Sequence, residues 1–202
     1  MEAGADGLRL RRLSVMIVWW AVFAVLTYAV LARVSSLLAD GWDNGCPDHL
    51  IPATEPTVGG GAENEHKFLT RDRCFDTGIH LQAGEKYHIA VDVKEAEDWI
   101  DKTIPANPNG LDNWRMNWHP LMIATMPFRR HLKDSWFVLM GKIGRNGTTF
   151  KVGSGRTIRA TETGRLFLYV NDAIPPFCRR GCSFGYENNV GAAKAMVWRL
   201  PE

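Results

Sequence analysis

The 202 residues contain no H-E-x-x-H and no phosphate-binding loop. The commonest signatures of zinc peptidases and nucleotide enzymes are therefore missing. Net charge is small: 24 Lys and Arg stand against 22 Asp and Glu, leaving +2. No basic stripe with interleaved aromatics occurs, so nucleic acid is not an expected partner. Cysteine is rare, with four in the chain, none in C-x-x-C spacing, and the six His are scattered. That pattern argues against a zinc site. No internal repeat of roughly 20–50 residues is present, which excludes solenoids and propellers.

The most informative absence is of charge between Leu13 and Ala32, where the chain reads LSVMIVWWAVFAVLTYAVLA. At about 1.5 Å per residue, a helix of this length spans about 30 Å, the thickness of a bilayer's hydrocarbon core. A helix of a soluble domain would carry a polar stripe, and this run has none. The rival reading is a cleaved signal peptide, whose apolar region would be roughly 7–15 residues and lead into a small-residue cleavage site. This run is longer, includes Trp19 and Trp20, and leads into Arg33. The expectation is a retained span over 13–34, a cytoplasmic segment 1–12, a juxtamembrane linker 35–66 and an exported domain 67–202. Arg9, Arg11 and Arg12 precede the span and only Arg33 follows it closely. This asymmetry predicts an N-terminus in the cytoplasm and a C-terminal domain outside it.

Cys46, Cys74, Cys178 and Cys182 all follow the span, and an even count on the exported side points to disulfides. Cys178 with Cys182 would close a small loop, and Cys46 with Cys74 would tie the juxtamembrane segment to the domain.

Beyond a lead-in rich in Gly, Pro, Asp, Asn and Glu, short strand signals follow one another. Lys86–Val93 alternates, with Tyr87, Ile89, Val91 and Val93 on one face. Leu121–Met126 and Trp136–Met140 are short apolar runs suited to core strands. Arg145-Asn146-Gly147-Thr148 offers a hairpin turn, since Asn-Gly accepts positive φ. The same Asn-Gly-Thr is a glycosylation sequon, which the turn explains equally well. Thr149–Val152, Arg156–Ala160, Arg165–Val170 and Ala193–Leu200 complete the series. Frequent turns without a 3.6-residue period predict an all-β domain, an antiparallel β-sandwich or jelly roll. The irregular stretch 94–120 is long enough to be expected to carry function.

Oxygen-bearing side chains are densest in Asn171-Asp172 and in Glu187-Asn188-Asn189. One group follows a predicted strand and the other precedes the last one, so both are placed at strand ends. Carboxylate and amide oxygens are hard donors of the type calcium takes, although Asn and Asp in loops commonly bond their own backbone.

The segments Met140–Gly147, Phe150–Gly153, Gly164–Asp172 and Tyr186–Gly191 resemble the PA-I family of bacterial galactophilic lectins. The likeness runs over about 77–200 and leaves the apolar helix and linker outside. It rests on three ordered motifs: K-I-G, L-x-x-N-D and Y-x-N-N-x-G. The resemblance implies a calcium-dependent, galactose-binding β-sandwich. Carried over by motif, Asp172, Asn188 and Asn189 would be side-chain calcium ligands and Gly185 would contribute its carbonyl. A second carbonyl would come from near Trp99–Asp101. His119, Asp172 and Asn188 would face a galactose-type ligand. The chain departs from the family in the sixteen-position spacing from Asp172 to Asn188, and in Met122 where a Gln is usual.

Catalysis is not expected. Glu97, Asp98, Asp101 and Asp112 could be cast as paired carboxylates for glycoside hydrolysis, but acidic residues in a long polar stretch read as a solvated face. The sequence thus points to a non-enzymatic binding module anchored in a bacterial inner membrane, with its domain in the periplasm or outside. The alternative is an accessory subunit whose 13–32 helix packs in a membrane complex.

Overall fold

The computed structural model describes residues 3–43, 46, 65–93, 99–111, 120–145, 147–174 and 185–201. Helix α1 (Ala3–Asp43) is longer than the uncharged run at both ends. Its Arg11–Ser35 portion is long and apolar enough to cross a membrane, a property it shares with signal sequences near an N-terminus. Large apolar side chains are exposed along it from Leu13 to Leu38, with Trp19 and Trp20 about two-thirds accessible.

The remainder is built from eleven strands and a short helix among the described residues. In chain order these are β1 (Glu65–Leu69), β2 (Phe75–Leu81), β3 (Lys86–Asp92), β4 (Ile100–Asp101), β5 (Ile104–Pro105) and α2 (Pro120–Thr125). A 3-10 turn (Met126–Phe128) follows α2 directly. Then come β6 (Leu139–Ile143), β7 (Thr149–Lys151), β8 (Gly155–Arg159), β9 (Gly164–Val170), β10 (Asn189–Val190) and β11 (Ala192–Arg199).

Two four-stranded sheets, ordered β1-β11-β3-β8 and β2-β9-β6-β7, form the layers, and β10-β4-β5 makes a small third sheet. All pairings are antiparallel. One core joins the two layers. Tyr87, Ile89 and Val91 of β3 and Ala193, Ala195 and Val197 of β11 face Ile79, Leu81, Leu139, Leu166 and Leu168 across it. The period-two alternation of β3 and β11 follows from having one face inward. Strand β9 is buried on both faces, because Tyr169 packs outward with Val138 and Met140.

The all-β expectation holds, with specific differences. Leu121–Met126 is not a core strand: Pro120–Thr125 is helical and Met126 opens the 3-10 turn. Proline is pre-set for the first helical position, and Leu121 and Ile123 are exposed rather than inside the sandwich. Trp136 and Phe137 precede β6 instead of opening it. The expected linker is shortened from both sides, since α1 runs to Asp43 and β1 starts at Glu65.

Cys46 and Cys74 form a disulfide with Cα atoms 4.8 Å apart. Cys178, Cys182, His119, Asn146 and the stretches 94–98 and 112–119 lie outside the described residues.

Candidate functional site

Strand β9 ends at Val170, and the next two residues diverge in role because successive side chains leave an extended chain in opposite directions. Asn171 turns toward the 131–135 loop. Its Nδ2 donates to the carbonyls of His131 (3.0 Å), Asp134 (3.3 Å) and Ser135 (2.9 Å), and its Oδ1 accepts from His131 N–H (2.9 Å). Asp172 turns the other way, toward β10.

Asp172 is 5 % exposed. Its Oδ1 accepts the Ala173 N–H at 2.7 Å and its Oδ2 accepts Nδ2 of Asn189 at 3.0 Å. The same Nδ2 donates to the Thr70 carbonyl at 3.3 Å. Asn189 is 4 % exposed, and its own Oδ1 is buried without a hydrogen-bond partner. An orphaned buried amide oxygen costs about 1–3 kcal/mol, so its presence beside a buried carboxylate calls for an explanation.

Strand pairing brings in a second carboxylate. β10 lies against β4 with Asn189 opposite Asp101, and Nδ2 of Asn188 hydrogen-bonds Oδ1 of Asp101. The Lys102 N–H donates to the Asn188 carbonyl at 2.8 Å. Lys102 holds a left-handed backbone (φ 54°) to do so.

Burial is the main cause that pushes the Asp172 carboxyl up to about 7, and the charge of Asp101 adds to it. The Ala173 N–H, Asn189 and Arg130 pull it back only in part. Asp101 is raised to about 6, again chiefly by burial, against Lys102 and its hydrogen bond from Asn188. A buried carboxylate and a half-buried one close enough to feel each other's charge disfavour their shared ionised state.

Gly185 has φ 93° and backs onto residue 173, where an added Cβ would lie 2.6 Å from the Ala173 carbonyl oxygen. Only glycine fits there. Tyr186 is fully buried and donates its hydroxyl to the Val170 carbonyl at 2.6 Å. Arg130, also buried, places its guanidinium 3.8 Å from the centre of the Tyr169 ring and donates its backbone N–H to the Asp172 carbonyl at 3.1 Å.

The structure therefore gathers Asp172, Asn188, Asn189 and Gly185 at one pole of the sandwich. His119 lies outside the described residues. Sequence reasoning reached Asp101 as the end of a range offering a carbonyl and as one acidic residue of a solvated face; its side chain is part of the cluster. Thr70 was not singled out at all. Both were hidden because they meet the Asn188-Asn189 pair across 87 and 119 positions of chain. Among the described residues no group of three or more His, Cys, Asp or Glu forms a metal cluster, so any cation here would rest on two carboxylates and neutral oxygens.

A cation would fit these donors once the Asn189 amide is turned. Nδ2 of Asn189 is the point on which Asp172 Oδ2 and the Thr70 carbonyl converge, and a half-turn of the amide exchanges that nitrogen for the orphaned oxygen. Asp172, Asn189 and Thr70 would then present hard oxygens, the type calcium prefers, and Asn188 would join them on turning its own amide away from Asp101.

No family model matches the sequence, and no curated protein matches it. Among solved structures, the chain is similar to the EclA N-terminal domain, a PllA-like lectin, with 18 % identity and a TM-score of 0.46 over 68 % of this chain and 99 % of that one. That similarity is too low to carry a function across.

Proposed function

We propose that the protein is a membrane-anchored binding module that holds calcium at Asp172, Asp101, Asn188 and Asn189 and engages a galactose-type carbohydrate there. The observation that carries the reading is the partnerless, buried Oδ1 of Asn189 beside two carboxylates whose charges repel. One bound divalent ion would satisfy that oxygen and remove the repulsion together. Calcium, when bound, supplies Lewis-acid contacts to vicinal sugar hydroxyls. The chain's own residues fix the donors: β4–β10 pairing sets Asp101 against Asn189, and Gly185 brings the chain back against residue 173.

The reading is a binding module rather than an enzyme. Helix α1 supplies the anchor, with its N-terminal end cytoplasmic by its arginine bias.

The test uses the full chain in detergent. Calcium should raise its melting temperature, with a stabilisation near 2.7 kcal/mol at about a hundredfold excess over Kd. Asp172→Ala should abolish the gain, and retention on a galactose matrix should require calcium. A chain that shows no calcium-dependent melting shift would refute the ion site, and calcium binding without galactose retention would refute the sugar.

A further inference from the structure

Between Pro120 and Phe128 the chain reads PLMIATMPF, nine residues without charge, followed by Arg129 and Arg130. Met122 turns into the domain and is buried, while Leu121 (62 % exposed), Ile123 (45 %) and Met126 (40 %) face outward. A soluble domain would seldom group such side chains on one short element.

The position of this ridge along α1 decides what it meets. Tyr28 donates its hydroxyl to the Ala124 carbonyl at 2.7 Å, and its ring packs edge-on against Phe128 at 6.2 Å. Tyr28 lies seven residues inside the Ser35 end of the apolar segment, about 10 Å along a helix axis. The whole 25-residue segment, at about 1.5 Å per residue, exceeds a hydrocarbon core of about 30 Å by about 7 Å, or about 4 Å at each end when centred. If α1 spans, Ala124 is level with the outer part of the acyl chains on the domain's side. Interfacial apolar elements sink about 5–10 Å, the same depth.

Polar groups of the segment are matched to that setting. The Ala124 carbonyl is capped by Tyr28, and Thr125 Oγ1 donates to the Leu121 carbonyl at 2.8 Å. Arg33 donates to the carbonyls of Arg129 (2.6 Å) and Arg130 (3.3 Å). Arg129 is half-buried, its guanidinium donating to the Leu132 carbonyl at 2.6 Å and lying 5.0 Å from the centre of the Trp136 ring, so the segment's polar side follows directly on the apolar ridge.

The geometry points to a bilayer-seated ridge: Leu121, Ile123 and Met126 insert into the leaflet on the domain's side, and Arg33 clamps the following residues to α1 at the membrane surface. The domain is thus pinned flush to the membrane instead of swinging on a tether. The inference rests on α1 being a membrane span.

The experiment uses the full chain in vesicles of phosphatidylcholine and phosphatidylglycerol, with single NBD-labelled cysteines at Val22→Cys, Ile123→Cys and Ala83→Cys, and lipids brominated at chosen depths. Ala83 lies beyond the far end of β2, at the pole opposite Asp172. The Ile123 label should lose emission to shallow bromines, the Val22 label to deep ones, and the Ala83 label to neither. Quenching at Val22 but not at Ile123 overturns the seating and leaves the anchor standing. Quenching at neither overturns the anchor, and the seating with it. A blue-shifted Ile123 label that lipid does not quench places a protein chain on the ridge and also overturns it.

Discussion

Asn171 is fully buried and spends its side chain on the 131–135 loop, while Asp172 faces the orphaned amide of Asn189. Replacing Asn171 with Leu strands one N–H and three carbonyls. The expected loss is about 2–4 kcal/mol by denaturant titration of the full chain; an effect under half that would mean the loop holds itself. Asp172 behaves oppositely. Its folded pKa of about 7, like the value of about 6 for Asp101, lies above that of an unfolded aspartate near 4. The folded chain therefore binds these protons more tightly, and the resulting stability is full below about pH 4 and lost as pH rises through about 6–7. In chelator, melting temperature should fall more steeply between about pH 5 and 8 for the wild type than for Asp172→Asn. Saturating calcium should reverse that difference, because the ion needs the carboxylates deprotonated. Identical pH profiles for the two proteins would show that Asp172 titrates normally.

Strands such as β3 and β11 were legible because one face is inward and the other is not, so burial writes itself into every second residue. The run Leu121–Met126 was not, since a short apolar stretch lacks a period and here serves neither core nor strand. Pro120 was the available clue. The site was half legible: motif order located Asp172, Asn188 and Asn189, but the side chain of Asp101 and the carbonyl of Thr70 depend on strand pairing, which local sequence does not encode. The Cys46–Cys74 pairing was legible only by setting Cys178 and Cys182, four positions apart, aside as a small loop, since four cysteines allow three pairings. It closes a loop with a sequence separation of 28, so Cys74→Ser should cost about 3–4 kcal/mol through the entropy of the unfolded chain. Denaturation under non-reducing conditions measures it, and a much smaller loss would indicate that α1 already restrains this segment.

At the scale of the whole molecule, one short segment joins α1 to the Asp172 cluster. Residues 129 and 130 present their carbonyls to Arg33 of α1. The same stretch runs antiparallel to 172–174 through Arg130 N–H to the Asp172 carbonyl, Ile174 N–H to the Phe128 carbonyl at 2.9 Å and the Arg129–Ala173 bridge. A shift of that segment cannot leave the backbone of Asp172 where it is. Arg33→Ala removes a guanidinium that clamps two carbonyls at once, and Arg33→Lys should not restore it, because an ammonium is a point charge without the fork geometry. On the proposed reading, both variants should weaken calcium binding several-fold, toward the lower end of ordinary coupling free energies. The coupling is reciprocal, so calcium should protect residues 28–33 of α1 from hydrogen exchange in the wild type and protect them less in either variant. A calcium titration of the detergent-solubilised chain tests the first arm and exchange mass spectrometry the second. An unchanged Kd in Arg33→Ala would mean that the sandwich holds its ion pole without help from the anchor.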